Sequence, residues 1–217
     1  MSATAVTTHL EELVRNELLW DPRVTSDAIG ISSRDGSVTL SGYVPSYTEK
    51  VAAENAALRV QGARAVANDL IVRLDEERID PEIARDAADA LRFNTVVPAT
   101  VKAVVHKGYL TLEGTCEWHF ERAAAEAAVH HIRGVRGVTN AVILKPKASA
   151  AIVKSRIEDA LRRNAEVDAS RVSVSASGHV VTLTGVVRSF GERAAAAHAA
   201  WASPGVTTVE NRLIVTP

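Results

Sequence analysis

The chain has 217 residues, with 25 lysines and arginines against 26 aspartates and glutamates, 47% hydrophobic residues and 4% aromatics, the composition of a soluble globular protein. A formal charge of -1 leaves no cation excess to displace counterions from a phosphate backbone, so a nucleic-acid partner is not expected. Cys116, the single cysteine, excludes an intramolecular disulfide framework and suits a reducing compartment. Residues 1–20 carry Glu11, Glu12 and Glu17 where an export signal would be apolar, which places the sequence as it stands in the cytoplasm, or in the periplasm if a signal lies upstream. No apolar run approaches the roughly 20 residues that cross a bilayer, so no transmembrane segment is expected.

Taken in chain order, Leu10, Leu13, Val14 and Leu18 follow helical spacing behind Thr8-x-x-Glu11, a capping box that predicts a helix starting near Thr8. Ile29/Ile31 and Val38/Leu40 then alternate about Asp35-Gly36, the signature of a hairpin. A second helix opens at Ser46-x-x-Glu49, and a last strand sends Val66, Leu70 and Val72 to one face. The series recurs with Ile83, Ala87, Ala90 and Leu91 behind Asp80-Pro81, and then Val101/Ala103 and Leu110/Leu112 about Lys107-Gly108. Trp118 stands where the first copy has its capping serine, and Val138, Val142 and Leu144 close the second copy. A third begins behind Ser149 with Val153, Ile157, Ala160 and Leu161, continues through Val172/Val174 and Val181/Leu183 about Gly178-His179, and reopens a helix at Ser189-x-x-Glu192. Val209, Leu213 and Val215 end it.

These recurrences form an internal repeat anchored on Val38-Thr-Leu-Ser-Gly42, Leu110-Thr-Leu-Glu-Gly114 and Val181-Thr-Leu-Thr-Gly185, with anchor glycines 72 and 71 residues apart. A second glycine falls 20 residues after each anchor (Gly62, Gly134, Gly205) and an asparagine 26 after (Asn68, Asn140, Asn211). Glu49-Lys50, Glu121-Arg122 and Glu192-Arg193 share one offset, and alanine-rich second helices follow them. The reading is α+β: three tandem αββαβ domains over 6–75, 79–146 and 149–217, joined at Leu74–Ile79 and Lys145–Ser149. A right-handed β–α–β crossover makes its strands parallel, so each copy is expected to be a three-stranded mixed sheet with both helices on one face.

The pattern V-T-L-x-G-x-V, then E-[RK]-x-A, then G-V-x-x-V-x-N-x-L resembles the BON domain, the bacterial OsmY and nodulation module, in all three copies. The resemblance implies a small αββαβ module, usually of exported or envelope proteins linked to osmotic stress. Phospholipid binding is often proposed for such modules, and one cytoplasmic lineage is linked to potassium.

The residues themselves suggest scaffold roles first. Gly42, Gly114 and Gly185 end a β-run where a missing Cβ permits a bulge or close approach of the following helix, and Asn68, Asn140 and Asn211 suit local turn chemistry in a left-handed conformation. Alternation sends Ile71, Ile143 and Ile214 to the sheet face that the helices leave bare, an interaction face for the other sheets, a second copy, a lipid or a protein. At the start of the second helix, Tyr47, His119 and Phe190 share an offset and Trp118 flanks His119, so these four are candidate ligand residues for an anionic headgroup at a helix N-terminus. Cys116, His119, His130, His131 and His106 form the best metal constellation, but Cys116 and His130 occupy positions that are apolar in the other copies and read as core substitutions, so no metal or cofactor is assigned. No nucleophile elbow, phosphate loop or recurring carboxylate pair points to an enzyme. Three functions follow: a non-enzymatic array binding anionic phospholipid or an envelope surface under stress, a cytoplasmic small-ligand or potassium sensor, and a protein interaction module that could include a homo-oligomer.

Overall fold

A computed structural model describes residues 3–74, 77–145, 153–164 and 167–216. The expected start signal at Ser149 and parts of both linkers lie outside them. The first repeat runs α1 (Ala3–Trp20), β1 (Ile29–Arg34), β2 (Ser37–Val44), α2 (Tyr47–Arg59) and β3 (Ala65–Val72). The second runs α3 (Asp80–Phe93), β4 (Lys102–His106), β5 (Tyr109–Glu113), β6 (Thr115–Cys116), α4 (His119–Val129), β7 (Gly137–Asn140) and β8 (Ile143–Leu144). The third runs α5 (Val153–Arg163), β9 (Val172–Ser177), β10 (Val180–Val187), α6 (Phe190–Trp201) and β11 (Thr208–Val215). The chain divides into two compact units, one of Met1–Asp86, Val105–Leu110 and His130–Val138, the other of Ala87–Val104, Thr111–Val129 and Thr139–Pro217.

Each repeat holds a three-stranded mixed sheet with the hairpin's second strand in the centre, ordered β1-β2-β3, β4-β5-β7 and β9-β10-β11. In the first repeat β2 runs antiparallel to β1 and parallel to β3, pairing Val38 with Val66 and Val44 with Val72. The third repeats this register, Val181 with Val209 and Val187 with Val215. The middle repeat interrupts its central and last strands, so β6 pairs with β8 as a short continuation, and the Ala141 and Ile143 N–H groups still bond to Leu112 and Gly114.

The buried face of the first sheet (Ile29, Val38, Leu40, Val44, Leu70, Val72) closes on Leu10, Val14 and Leu18 of α1 and on Ala53, Ala56 and Ala57 of α2. Alanines bring α2 close to the strands while Leu and Val of α1 fill the remaining depth. Ile157, Leu161, Ala196 and Ala200 do the same over β9–β11. Both helices therefore lie on one face, as the period-2 alternation requires.

Helix 1 departs from its predicted start. It begins at Ala3, so Thr8 lies within the helix and not at its cap. Glu11 accepts the Ser33 N–H at 2.7 Å from the edge of the hairpin. In the second repeat Asp80 accepts the Lys107 and Gly108 N–H groups at 2.7 and 2.9 Å, and these two bonds hold its carboxyl below the usual range. A carboxylate of the first helix thus fastens the hairpin in both copies, from mid-helix in the first and from the first helical residue in the second.

The anchor glycines also answer to a different neighbour than expected. Gly42, Gly114 and Gly185 have φ of 113°, 128° and 128°, and a Cβ on each would collide with the backbone carbonyl of Ala28, Thr100 or Arg171. The close approach is to the chain entering the first hairpin strand, not to the following helix.

Candidate functional site

The start of each second helix is the leading candidate for a ligand site, and its local bonding is well defined. Ser46 and Ser189 accept the Glu49 and Glu192 N–H groups, each at 3.1 Å, as N-caps. The reciprocal bond of a capping box is diverted: the buried Glu49 carboxylate accepts the Thr25 N–H, and Glu192 accepts those of Asp168 and Arg188. In the middle repeat, which lacks the serine, Glu121 accepts the N–H groups of Glu117 and Trp118 at 2.9 and 3.0 Å. In each repeat a carboxylate in the first turn of the second helix thus accepts backbone N–H groups outside that helix, and places a negative charge where a bound anion would sit.

The repeated asparagines are tethers between helix and strand. The Asn68 Nδ2 donates to the Lys50 carbonyl and to Glu54 Oε2 at 3.0 and 2.9 Å, while its Oδ1 accepts the Leu70 N–H. Asn140 makes the same three bonds to Arg122, Glu126 and Val142, and Asn211 makes two, to Arg193 and Leu213. The basic residue of the Glu-Lys/Arg motif bonds in the opposite direction: Lys50 donates to the Leu70 carbonyl, and Arg122 and Arg193 donate to those of Asn140 and Asn211. The last strand lies at the sheet edge, so its outward backbone groups need partners, and this reciprocal clamp supplies them. Among the described residues only Asp35 and Lys107 combine a side chain with positive φ, so the expected left-handed turn at the asparagines is not adopted.

Two of the four candidate ligand residues, Tyr47 and His119, meet the ends of other second helices. Tyr47 lies edge-on to His130, ring centroids 5.4 Å apart at 84°, and Thr48 donates to the His130 carbonyl at 3.0 Å. His119 stacks on Trp201 at 4.1 Å and 16°. Burial pushes the His119 imidazole below its usual pKa, aided by the charges of Arg122 and His198. Trp118 stacks on exposed Phe120, and Phe190 rests on its own repeat's core with the Arg193 guanidinium 5.9 Å from its ring. Beside Tyr47 and His130, a cleft of about 740 Å³ is lined by Thr48, Arg78, His131 and Arg133 among others.

The candidate metal constellation is dispersed. Cys116 is buried, its thiol pushed up by that burial, with Sγ donating to the Trp118 carbonyl. His130 is half-buried beside Tyr47 and not a core residue as its apolar counterparts had suggested, and His106 ends β4 exposed. Among the described residues no three histidine, cysteine or acidic groups converge.

Ile71, Ile143 and Ile214 are 58, 59 and 61% exposed, each on the sheet face opposite the helices. Strand pairing sets them beside Tyr43, Thr115 and Val186. Arg73 packs over the Tyr43 ring at 3.9 Å.

The BON domain model matches residues 7–73, 79–146 and 149–217. The chain belongs to the BON domain family. No curated protein matches it. Two solved structures of CdsD, described as a structural protein of the type III secretion system of Chlamydia trachomatis, are similar at 15 and 14% identity. They cover 96% of this chain and 93 and 98% of theirs, each with a TM-score of 0.27. In BON terms, the clamp of Glu, Lys/Arg and Asn is the structural reading of the repeated motif, and the exposed isoleucines are what that motif leaves over. Among the described residues no helix is long and apolar enough to cross a membrane.

Proposed function

We propose that this tandem BON protein is non-catalytic and associates with anionic phospholipid surfaces through the bare faces of its sheets, in the stress-related envelope setting that its family suggests. The observation that supports this reading is the recurrence of one exposed isoleucine per repeat at one register, with a cation on the same strand face. Arg73 follows Ile71 by two residues, Lys145 follows Ile143 by two, and Arg212 precedes Ile214 by two, all exposed. An apolar side chain flanked by a cation is the arrangement that anchors a peripheral protein at a headgroup boundary. Each such cation contributes about 1 kcal/mol near an anionic leaflet, and the attraction fades within a Debye length. The buried carboxylates support a scaffold role: Glu49 and Glu192 accept backbone N–H groups, and Asp21 is paired with Arg23 and Arg59.

The test is sedimentation with phosphatidylglycerol and with phosphatidylcholine vesicles at low and high salt. Binding is expected to the anionic vesicles at low salt only. The triple variant Ile71→Ser, Ile143→Ser, Ile214→Ser should lose it while keeping its melting temperature, since no core contact is removed. No binding to anionic vesicles at low salt would end the proposal.

A further inference from the structure

The two aromatic contacts obey one rule. Tyr47, His119 and Phe190 each lie 5 residues after an anchor glycine, and Leu58, His130 and Trp201 each lie 16 after. Tyr47 meets His130, and His119 meets Trp201. In both, the start of one repeat's second helix receives the end of the next repeat's second helix. The two surfaces are different from each other, so the contact is heterologous and can be repeated without being used up by symmetry.

The rule leaves one surface of each kind. Phe190 at the start of α6 is half-buried, and its ring neighbour among the described residues is Arg193 of its own repeat. Beside it, Gly191 is exposed, and a Cβ there would meet only Ser189 Oγ, at 3.5 Å. Gly191 holds the offset of Thr48, the residue that bonds the His130 carbonyl. Leu58 is half-buried near the end of α2, with exposed Asn55 one turn before it.

We propose that the start of α6 receives the end of α2 from a second copy of this chain, so that the protein self-associates head to tail. Phe190 and Leu58 supply an apolar pair where the internal junctions use an aromatic or histidine stack. Charge selects the same pairing. Residues 1–76 carry 7 basic and 11 acidic side chains, a net -4, and residues 148–217 carry 8 and 6, a net +2. First-to-third contacts join opposite charges, whereas first-to-first and third-to-third contacts join like ones.

Sedimentation velocity of the full chain over a concentration series, without lipid, tests this. Oligomers are expected, and they should weaken as salt rises. Leu58→Arg blocks one surface and Gly191→Glu the other, each lowering apparent affinity by about tenfold or more. Asn55→Arg replaces Leu58→Arg if the latter lowers the melting temperature. Each variant alone should be monomeric, and an equimolar mixture should form a dimer and nothing larger, because one complementary surface survives on each partner. A wild-type chain that stays monomeric, variants that still oligomerise, or a mixture that yields no dimer would overturn the proposal. Because lipid is absent, its failure is independent of the vesicle result.

Discussion

Replacing Asn68 with alanine removes three hydrogen bonds: Nδ2 to the Lys50 carbonyl, Nδ2 to Glu54, and the Leu70 N–H to Oδ1. At about 1 kcal/mol net per bond, with some recovered by water at this half-buried position, the loss should be about 2–3 kcal/mol. Asn68→Asp sharpens the test, because it retains an acceptor for Leu70 but forfeits both donors and faces the Glu54 carboxylate. It should destabilise at least as much as alanine. Asn211→Ala removes only two bonds, at 3.3 and 3.2 Å, and should cost about 1–2 kcal/mol. Urea unfolding followed by circular dichroism measures all three. If Asn68→Ala and Asn68→Asp both leave the transition unchanged, the asparagine is not a clamp, and a ligand role would regain its place.

The anchor glycines predict a contrast in the same assay. Gly114→Ala sets a Cβ against the Thr100 carbonyl at φ 128° and should cost at least about 3 kcal/mol, whereas Gly178→Ala, at φ 58° with nothing nearby, should cost about 1 kcal/mol. A pH dependence follows from His119. Its folded pKa lies below the unfolded value of about 6.5, so the unfolded chain binds the extra proton and stability falls as pH drops through that value. His119→Phe keeps a ring against Trp201 without titrating, and its melting temperature should vary less between neutral and mildly acid pH. An equal pH slope in both proteins would refute the assignment.

Much of this architecture is written in spacing. Helical and alternating periods place every apolar side chain with respect to one face, and Gly42, Asn68 and their counterparts recur at fixed offsets, so αββαβ in triplicate follows from sequence alone. Short-range bonds such as Ser46 to Glu49 are legible too, because both partners lie within one turn. The exposure of Ile71, Ile143 and Ile214 follows from period 2 once the helices are assigned to the opposite face.

Tertiary structure decided which distant backbone groups these side chains serve. Glu49 bonds Thr25, 24 residues earlier, and Asn68 bonds Lys50, 18 earlier, separations at which sequence fixes no distance. The same holds for Leu58, His130 and Trp201. Their mixed chemistry looked like tolerant core until the fold set His130 against Tyr47 and Trp201 against His119. A side chain's face is dictated by its own strand or helix, but its partner is chosen by whatever the folded chain brings to that face.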